Sequence, residues 1–378
     1  MIAFLVEGIY YANFFSRIVN ALSEKEKKEI VFYSRDLDTS RFLKARQPQC
    51  RNVVLPVMTG VPNRTTFSAS KPMLADRLDR AITSCFEYVI GGNSYDACWQ
   101  VMVSYFLFFS RELAAGGDDK MIMCSGCGIG AKAASLICDI SQIPTQFVEL
   151  SNLPNKIFVD PAGTNAHSRL AHDPSILDAY PAVDDEVHQA WMTVYQAEKA
   201  LPPPQAKGNI LGAKIEELSQ DQVLKEELPY LFLPLQVSND AQLWLHSDYR
   251  NADAIQYAVE MAAQCNLLAV VKIHPAEVSV DELNKILQLK KIYGFRITME
   301  PTTALLQRAQ AVVTINSTVG LEAMLYGKPL SVLGRSYYKQ FDAERLKKYI
   351  HSYLFSGVEF FGDGQIDRKT ALAFLLHN

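Results

Sequence analysis

Three polar clusters in the C-terminal half carry residue types that suit phosphate and sugar chemistry. The first is TINSTVGLEAMLYGKP, from Thr314 to Pro329, where an apolar run gives way to Asn316, Ser317 and Thr318 and then to a helical pattern ended by Gly327-Lys328-Pro329. Ser317 or Thr318 can cap that helix, leaving first-turn N–H groups for an anion whose charge the helix dipole favours. This is a phosphate-binding arrangement. Gly320 is expected to let a ligand approach the backbone, and Glu322, one turn in, to accept from ribose hydroxyls. An ordinary capped helix after a strand is the plain alternative, but small polar residues at all of positions 316–318 exceed what a cap requires.

The second cluster is VKIHPAE, Val271 to Glu277. Pro275 biases His274 towards an extended conformation and fixes the turn. The imidazole is thereby aimed outward from the strand exit, where it can donate to a phosphate oxygen as a nucleotide leaves. Lys272 adds charge if it faces the same way. The third cluster is PLQVSND, Pro234 to Asp240. Asp240 is placed to act as base, nucleophile or charge stabiliser in sugar transfer, or as the N-cap of the next helix. Convergence favours the chemical role, since three strands of one domain end in polar residues suited to a nucleotide-sugar site. No DxD-type carboxylate pair ends a candidate strand in this half, and the basic and helix-dipole groups can neutralise a phosphate, so no metal or other cofactor is expected.

In the N-terminal half, Gly91-Gly92-Asn93-Ser94 and Gly126-Cys127-Gly128-Ile129-Gly130 read as strand-to-helix turns. The latter has GxGxG rather than GxGxxG spacing and argues only weakly for a dinucleotide. Glu149 ends an apolar run and precedes a polar stretch, SNLPNK then DPAGTN, which reads as a functional loop. Glu149 is the candidate general base there, with Asn152, Lys156 and Asn165 on an acceptor side. A solvated connecting loop with an incidental acid is the alternative. Cys124 and Cys127 form a CxxC without a second ligand pair nearby, so reduced thiols fit better than zinc or a redox motif.

The elements that must position these residues alternate in type. Ile2–Val6, 29–33, 88–90, Lys120–Cys124, 146–150, 230–235, 268–273 and 311–315 read as short buried strands. Residues 10–22, 95–113, 131–140 and 252–265 read as helices. The alternation implies α/β architecture with mainly parallel sheets and right-handed crossovers. At 378 residues two domains are expected. The prolines of LPPPQAKG, 201–208, mark the connector, separating a Rossmann-like domain at 1–200 from a second at 209–345. Residues 346–378 form a helical tail placed to pack back across the junction. A net charge of −4 gives no electrostatic case for a nucleic-acid partner. No apolar run is long enough to span a bilayer, and Glu7 interrupts the opening apolar run, which therefore reads as a strand and not a signal peptide.

At the quoted residues the sequence resembles the β-Kdo transferases of bacterial capsule and lipopolysaccharide assembly (Kdo is 3-deoxy-D-manno-oct-2-ulosonic acid). The resemblance rests on Gln236–Asp240, the HPxE at His274–Glu277, NSTVGLEAMLYGKP at Asn316–Pro329, and ELSNLPNK…DPAGTN from Glu149 to Asn165. It implies the GT-B architecture, two Rossmann-like domains facing across a cleft, with a CMP-β-Kdo donor and retention of configuration without metal. Asp240 matches the catalytic aspartate, and His274 with Asn316, Ser317 and Thr318 matches the CMP-binding groups. The donor-side set is then Gln236, Lys272, His274, Pro275, Glu277, Asn316, Ser317, Thr318, Gly320 and Glu322. The expected partners are a CMP-activated acidic sugar and a glycan or glycolipid acceptor, met in the cytoplasm at the inner face of the membrane or in a polysaccharide synthase complex. The rival readings are a CMP-sialic acid transferase, a UDP-sugar transferase or epimerase, and a non-catalytic nucleotide-sugar-binding component.

Overall fold

The structure is a computed structural model that describes residues 1–116, 120–199, 221–226 and 228–377. The chain divides into two compact units, residues 1–169 with 354 onward, and residues 170–353. Both are doubly wound, Rossmann-like α/β units.

The first unit holds a seven-stranded sheet in the order β12-β6-β5-β4-β1-β2-β3. Its strands are β1 Ile2–Val6, β2 Ile30–Ser34, β3 Arg51–Val54, β4 Lys120–Cys124, β5 Thr145–Leu150, β6 Lys156–Asp160 and β12 Phe355–Ser356. IVFYS and KMIMC are buried at every position, as strands covered on both faces must be. Alternate residues serve opposite faces. Leu5, Tyr33 and Met123 join one core, while Phe4, Phe32 and Ile122 join the other. β1 to β5 pair in parallel, whereas β5–β6 and β6–β12 are antiparallel.

The second unit holds β7 Tyr230–Pro234, β8 Leu268–Lys272, β9 Arg296–Ile297, β10 Ala311–Thr314 and β11 Leu330–Val332. All pair in parallel, in the order β11-β10-β7-β8-β9. The order reverses between β7 and β10, the switch point at which open α/β sheets bind ligands beyond the strands' carboxyl ends. The first sheet has the same reversal between β1 and β4.

Several expectations change. Residues 88–90, expected as a strand, lie in and after the short helix Phe86–Val89, since a three-residue apolar run does not separate the two states. The stretch after Glu149 is a hairpin, because KIFVD is fully buried and pairs back along β5. Residues 170–199, expected in the first domain, pack with the second unit, and the return to the first unit begins at 354 rather than 346. The 201–208 connector lies outside the described residues. Among the described residues no helix is long and apolar enough to cross a membrane.

Candidate functional site

In the second unit, the Asp240, His274 and Ser317 turns follow β7, β8 and β10, which are neighbours in one parallel sheet. Parallel pairing obliges all three turns to leave at the same edge. Gln236 and Asn316 join two of them. Gln236 Nε2 donates to Asn316 Oδ1 at 2.9 Å, and Asn316 N donates to Gln236 Oε1 at 3.1 Å. Asn316 Nδ2 also donates to Gln242 O at 2.9 Å, and Asn251 holds the Gln236 backbone from the other side. These two amides bond one another across the switch point between β7 and β10.

Glu277 is likewise internal. Its Oε2 accepts from Ser238 N at 2.7 Å, and its Oε1 accepts from Ser238 Oγ at 3.0 Å and from Val278 N and Ser279 N at 2.9 and 2.8 Å. It clamps the Asp240 turn to the His274 turn. Lys272 is buried and its Nζ donates to Glu300 O at 2.7 Å; burial pulls its ammonium down to about 8.

Asp240 and His274 remain available for chemistry. Asp240 caps the helix Ala241–Leu245, its Oδ1 accepting from Gln242 N at 2.7 Å; Oδ2 has no partner among the described residues. The capping role read as a rival is thus present. Burial raises this carboxyl above its ordinary value, while the Gln242 N–H and His274 oppose the rise. Pro275 occupies a turn closed by Glu277 N donating to His274 O at 3.0 Å. Within it, His274 Nδ1 accepts from Ala276 N at 3.1 Å. A neutral ring so held carries its proton on Nε2. Burial lowers the imidazole's value, with Asp240 and Glu277 opposing, so the ring is neutral near pH 7 and offers an Nε2–H donor.

Ser317 caps the helix Thr318–Leu325 through Oγ, which accepts from Val319 N at 3.2 Å, and Thr318 is the first helical residue. Gly320 has a packing reason: a Cβ there would lie 2.6 Å from Tyr338 Oη and 2.8 Å from Thr314 Cγ2. Tyr338, which the sequence reading missed, donates to Ser317 O. Glu322 is buried and accepts from Tyr195 Oη at 2.6 Å and Lys199 Nζ at 3.0 Å. Glu322, expected to accept from ribose hydroxyls, thus already accepts from two side chains of its own unit.

In the first unit, Glu149 Oε1 accepts from Tyr11 Oη at 3.2 Å and from Leu150 N at 3.1 Å. Lys156 opens β6, buried, with Nζ donating to Ser356 Oγ at 2.8 Å; it is a sheet residue and not an acceptor-loop cation. Asn152 and Asn165 take left-handed φ of 58° and 51° in the turns flanking β6. The GCGIG turn lies at the first unit's switch point, but protein carboxylates fill it. Ile129 N donates to Glu87 Oε2 at 2.9 Å, and Arg35 pairs with Glu87 at 2.8 Å. A Cβ on Gly128 would lie 2.6 Å from Glu7 Oε1. Burial, then Glu87, raises Glu7 to about 7. A dinucleotide phosphate would meet these acids, which removes the weak dinucleotide reading. Glu7, an acid at a strand exit, was visible in the sequence yet read only as an interruption. Cys124 Sγ donates to Leu5 O at 3.5 Å, and burial raises both thiols of the CxxC.

Residues 186–341 match the family model described as capsule polysaccharide biosynthesis protein. The capsule polysaccharide export protein KpsS of Escherichia coli is 30% identical over 191 residues, 48% of this chain and 46% of that protein. Protein FixF of Sinorhizobium fredii is 37% identical over 115 residues, 29% of this chain and 27% of its own length. The chain thus spans less than half the length of these curated relatives. Among solved structures, the Thermosulfurimonas dismutans KpsC beta Kdo 2,7 transferase is 15% identical with a TM-score of 0.45, over 73% of this chain and 94% of that one. The part of this chain that resembles capsule polysaccharide biosynthesis proteins, residues 186–341, lies within the second unit.

Proposed function

We propose that the chain is a retaining β-Kdo glycosyltransferase that moves Kdo from CMP-β-Kdo to a bacterial surface glycan, a capsule or a lipopolysaccharide O-antigen. The observation carrying this reading is the placement of Asp240, His274 and the Ser317 helix start on the exits of three adjacent parallel strands. The CMP phosphate lies against the amino end of the helix Thr318–Leu325, and His274 Nε2–H donates to it as it departs. Loss of CMP leaves an oxocarbenium-like carbon, which the unpaired Oδ2 of Asp240 shields or traps. The acceptor hydroxyl then attacks this carbon and gives up its proton to a general base. The charge of the leaving group is met by the imidazole and the helix start, so EDTA is expected to leave turnover unchanged.

Incubation with CMP-Kdo made in situ and a panel of glycan acceptors, read by mass spectrometry, tests the reading. A Kdo-extended product supports it. Transfer only from CMP-sialic acid assigns the rival donor, and hydrolysis or transfer from neither defeats it. The capping bond of Asp240 favours one further reading, a non-catalytic component that binds a nucleotide sugar. That reading requires CMP binding without turnover.

A further inference from the structure

The first unit carries a groove of about 740 Å³ along the helix Ile129–Ser141, bounded by the helix Pro72–Thr83 and by residues at the ends of β5 and β6, a size typical of small-molecule sites. Leu136, Ile143, Phe147 and Pro161 give it an apolar wall, and Lys132 and Arg77 give it two cations. Asp139 also lines the groove and is paired with Arg77, not with Lys132. The ammonium of Lys132 makes no hydrogen bond or ion pair with any described residue, its backbone N–H donating to Gly128 O at 3.0 Å, and its placement is costly in three ways. It stands in the first turn of its helix, where the dipole opposes a cation. It is half-buried, and burial lowers its ammonium below the ordinary value. Its titratable neighbours are the thiols of Cys127 and Cys85, pushed up to about 11 and about 12 and so neutral near pH 7. A half-buried cation beside an apolar wall, with the groove's carboxylate committed to Arg77, is half of an ion pair.

We propose that this groove binds an organic anion, whose carboxylate or phosphate pairs with Lys132 while its apolar side lies along Leu136, Ile143 and Phe147. The site uses residues of the first unit only and stands apart from the nucleotide-sugar reading. Isothermal titration of the full chain with benzoate, phenyl phosphate, inorganic phosphate and benzyl alcohol tests it. Saturable binding of benzoate or phenyl phosphate is expected, and the tighter of the two identifies the headgroup. Lys132→Met is expected to weaken that binding about tenfold or more, the loss of one charge-assisted contact, while Lys132→Arg retains it. Inorganic phosphate and benzyl alcohol are expected to bind at least about tenfold more weakly, each lacking half of the complement. Absence of saturable binding by either organic anion, equal affinity in Lys132→Met, or inorganic phosphate matching phenyl phosphate would each overturn the proposal.

Discussion

Glu277 receives both the backbone N–H and the hydroxyl of Ser238, at 2.7 and 3.0 Å. Through this contact the turn bearing His274 fixes the turn bearing Asp240. Glu277→Gln replaces one acceptor with a donor that faces other donors. We expect kcat to fall about tenfold, equivalent to a lost hydrogen bond or two, with CMP affinity changed less. Glu277→Asp is expected to recover little, since the shorter arm cannot reach both turns. Unchanged kcat in Glu277→Gln would show that the two turns hold their places independently.

Asp240→Asn preserves the N-cap, because asparagine caps as well as aspartate, while removing the charge. Stability by urea denaturation is expected to stay within about 0.5 kcal/mol. Sugar transfer is expected to fall by about a hundredfold or more. A variant with full activity takes Asp240 out of the mechanism, and one that unfolds early assigns it to structure.

The pH dependence follows from the direction of the Asp240 shift. Burial raises this carboxyl, so its active, ionised form is lost at a higher pH than for an exposed aspartate. The acid limb of kcat is expected to have its midpoint above about 3.9, the ordinary value. His274 is lowered and therefore remains neutral over more of that range. A midpoint at or below the ordinary value would contradict the proposed role of a buried Asp240.

Gly320→Ala forces a methyl against Tyr338 Oη and Thr314 Cγ2, at 2.6 and 2.8 Å in the native packing. A destabilisation of about 1–3 kcal/mol is expected, as for other overpacked cores. Adding Tyr338→Phe removes the hydroxyl and is expected to relieve part of it in a double-mutant cycle. Strict additivity in that cycle would place the strain elsewhere.

Glu7 gives a stability signature. Its carboxyl is raised from 4.5 to about 7, so between those values the folded state binds more protons than the unfolded state. Its contribution is favourable below about 4.5 and declines as pH rises through about 7. Glu7→Gln keeps the neutral shape. Relative to this variant, the native protein is expected to lose on the order of 1–3 kcal/mol between pH 5 and pH 8. Parallel pH curves for the two proteins would refute the assignment.

Most of the sheet framework was legible in the sequence, because strands covered on both faces are near-continuous apolar runs, as IAFLV, MIMC and YLFLP are. β6 was missed because KIFVD sits among asparagines, prolines and glycines that suggest a loop. The edge strand β3, RNVV, is half exposed and lacks the signal. At the site, the positions were legible and several roles were not. Polar residues at strand exits mark where a site lies, but not which of them bond one another. Gln236, Asn316, Glu277 and Glu322 were read as ligand contacts, yet their partners are Asn251, Gln242, Ser238, Tyr195 and Lys199, far apart in sequence.

The strand Phe355–Ser356 and the helix Arg368–Leu376 complete the first unit, where Phe374 and Leu375 join its core and Lys120 Nζ donates to Leu375 O at 3.1 Å. On the ribosome, residues 1–169 emerge before the whole second unit and must wait for residues 354 onward. At ordinary synthesis rates that interval is about 10–40 s. During it the β6 edge is bare and the apolar face destined for Phe374 is open to water, an aggregation hazard. The first half of this chain to be made is therefore the last to finish folding.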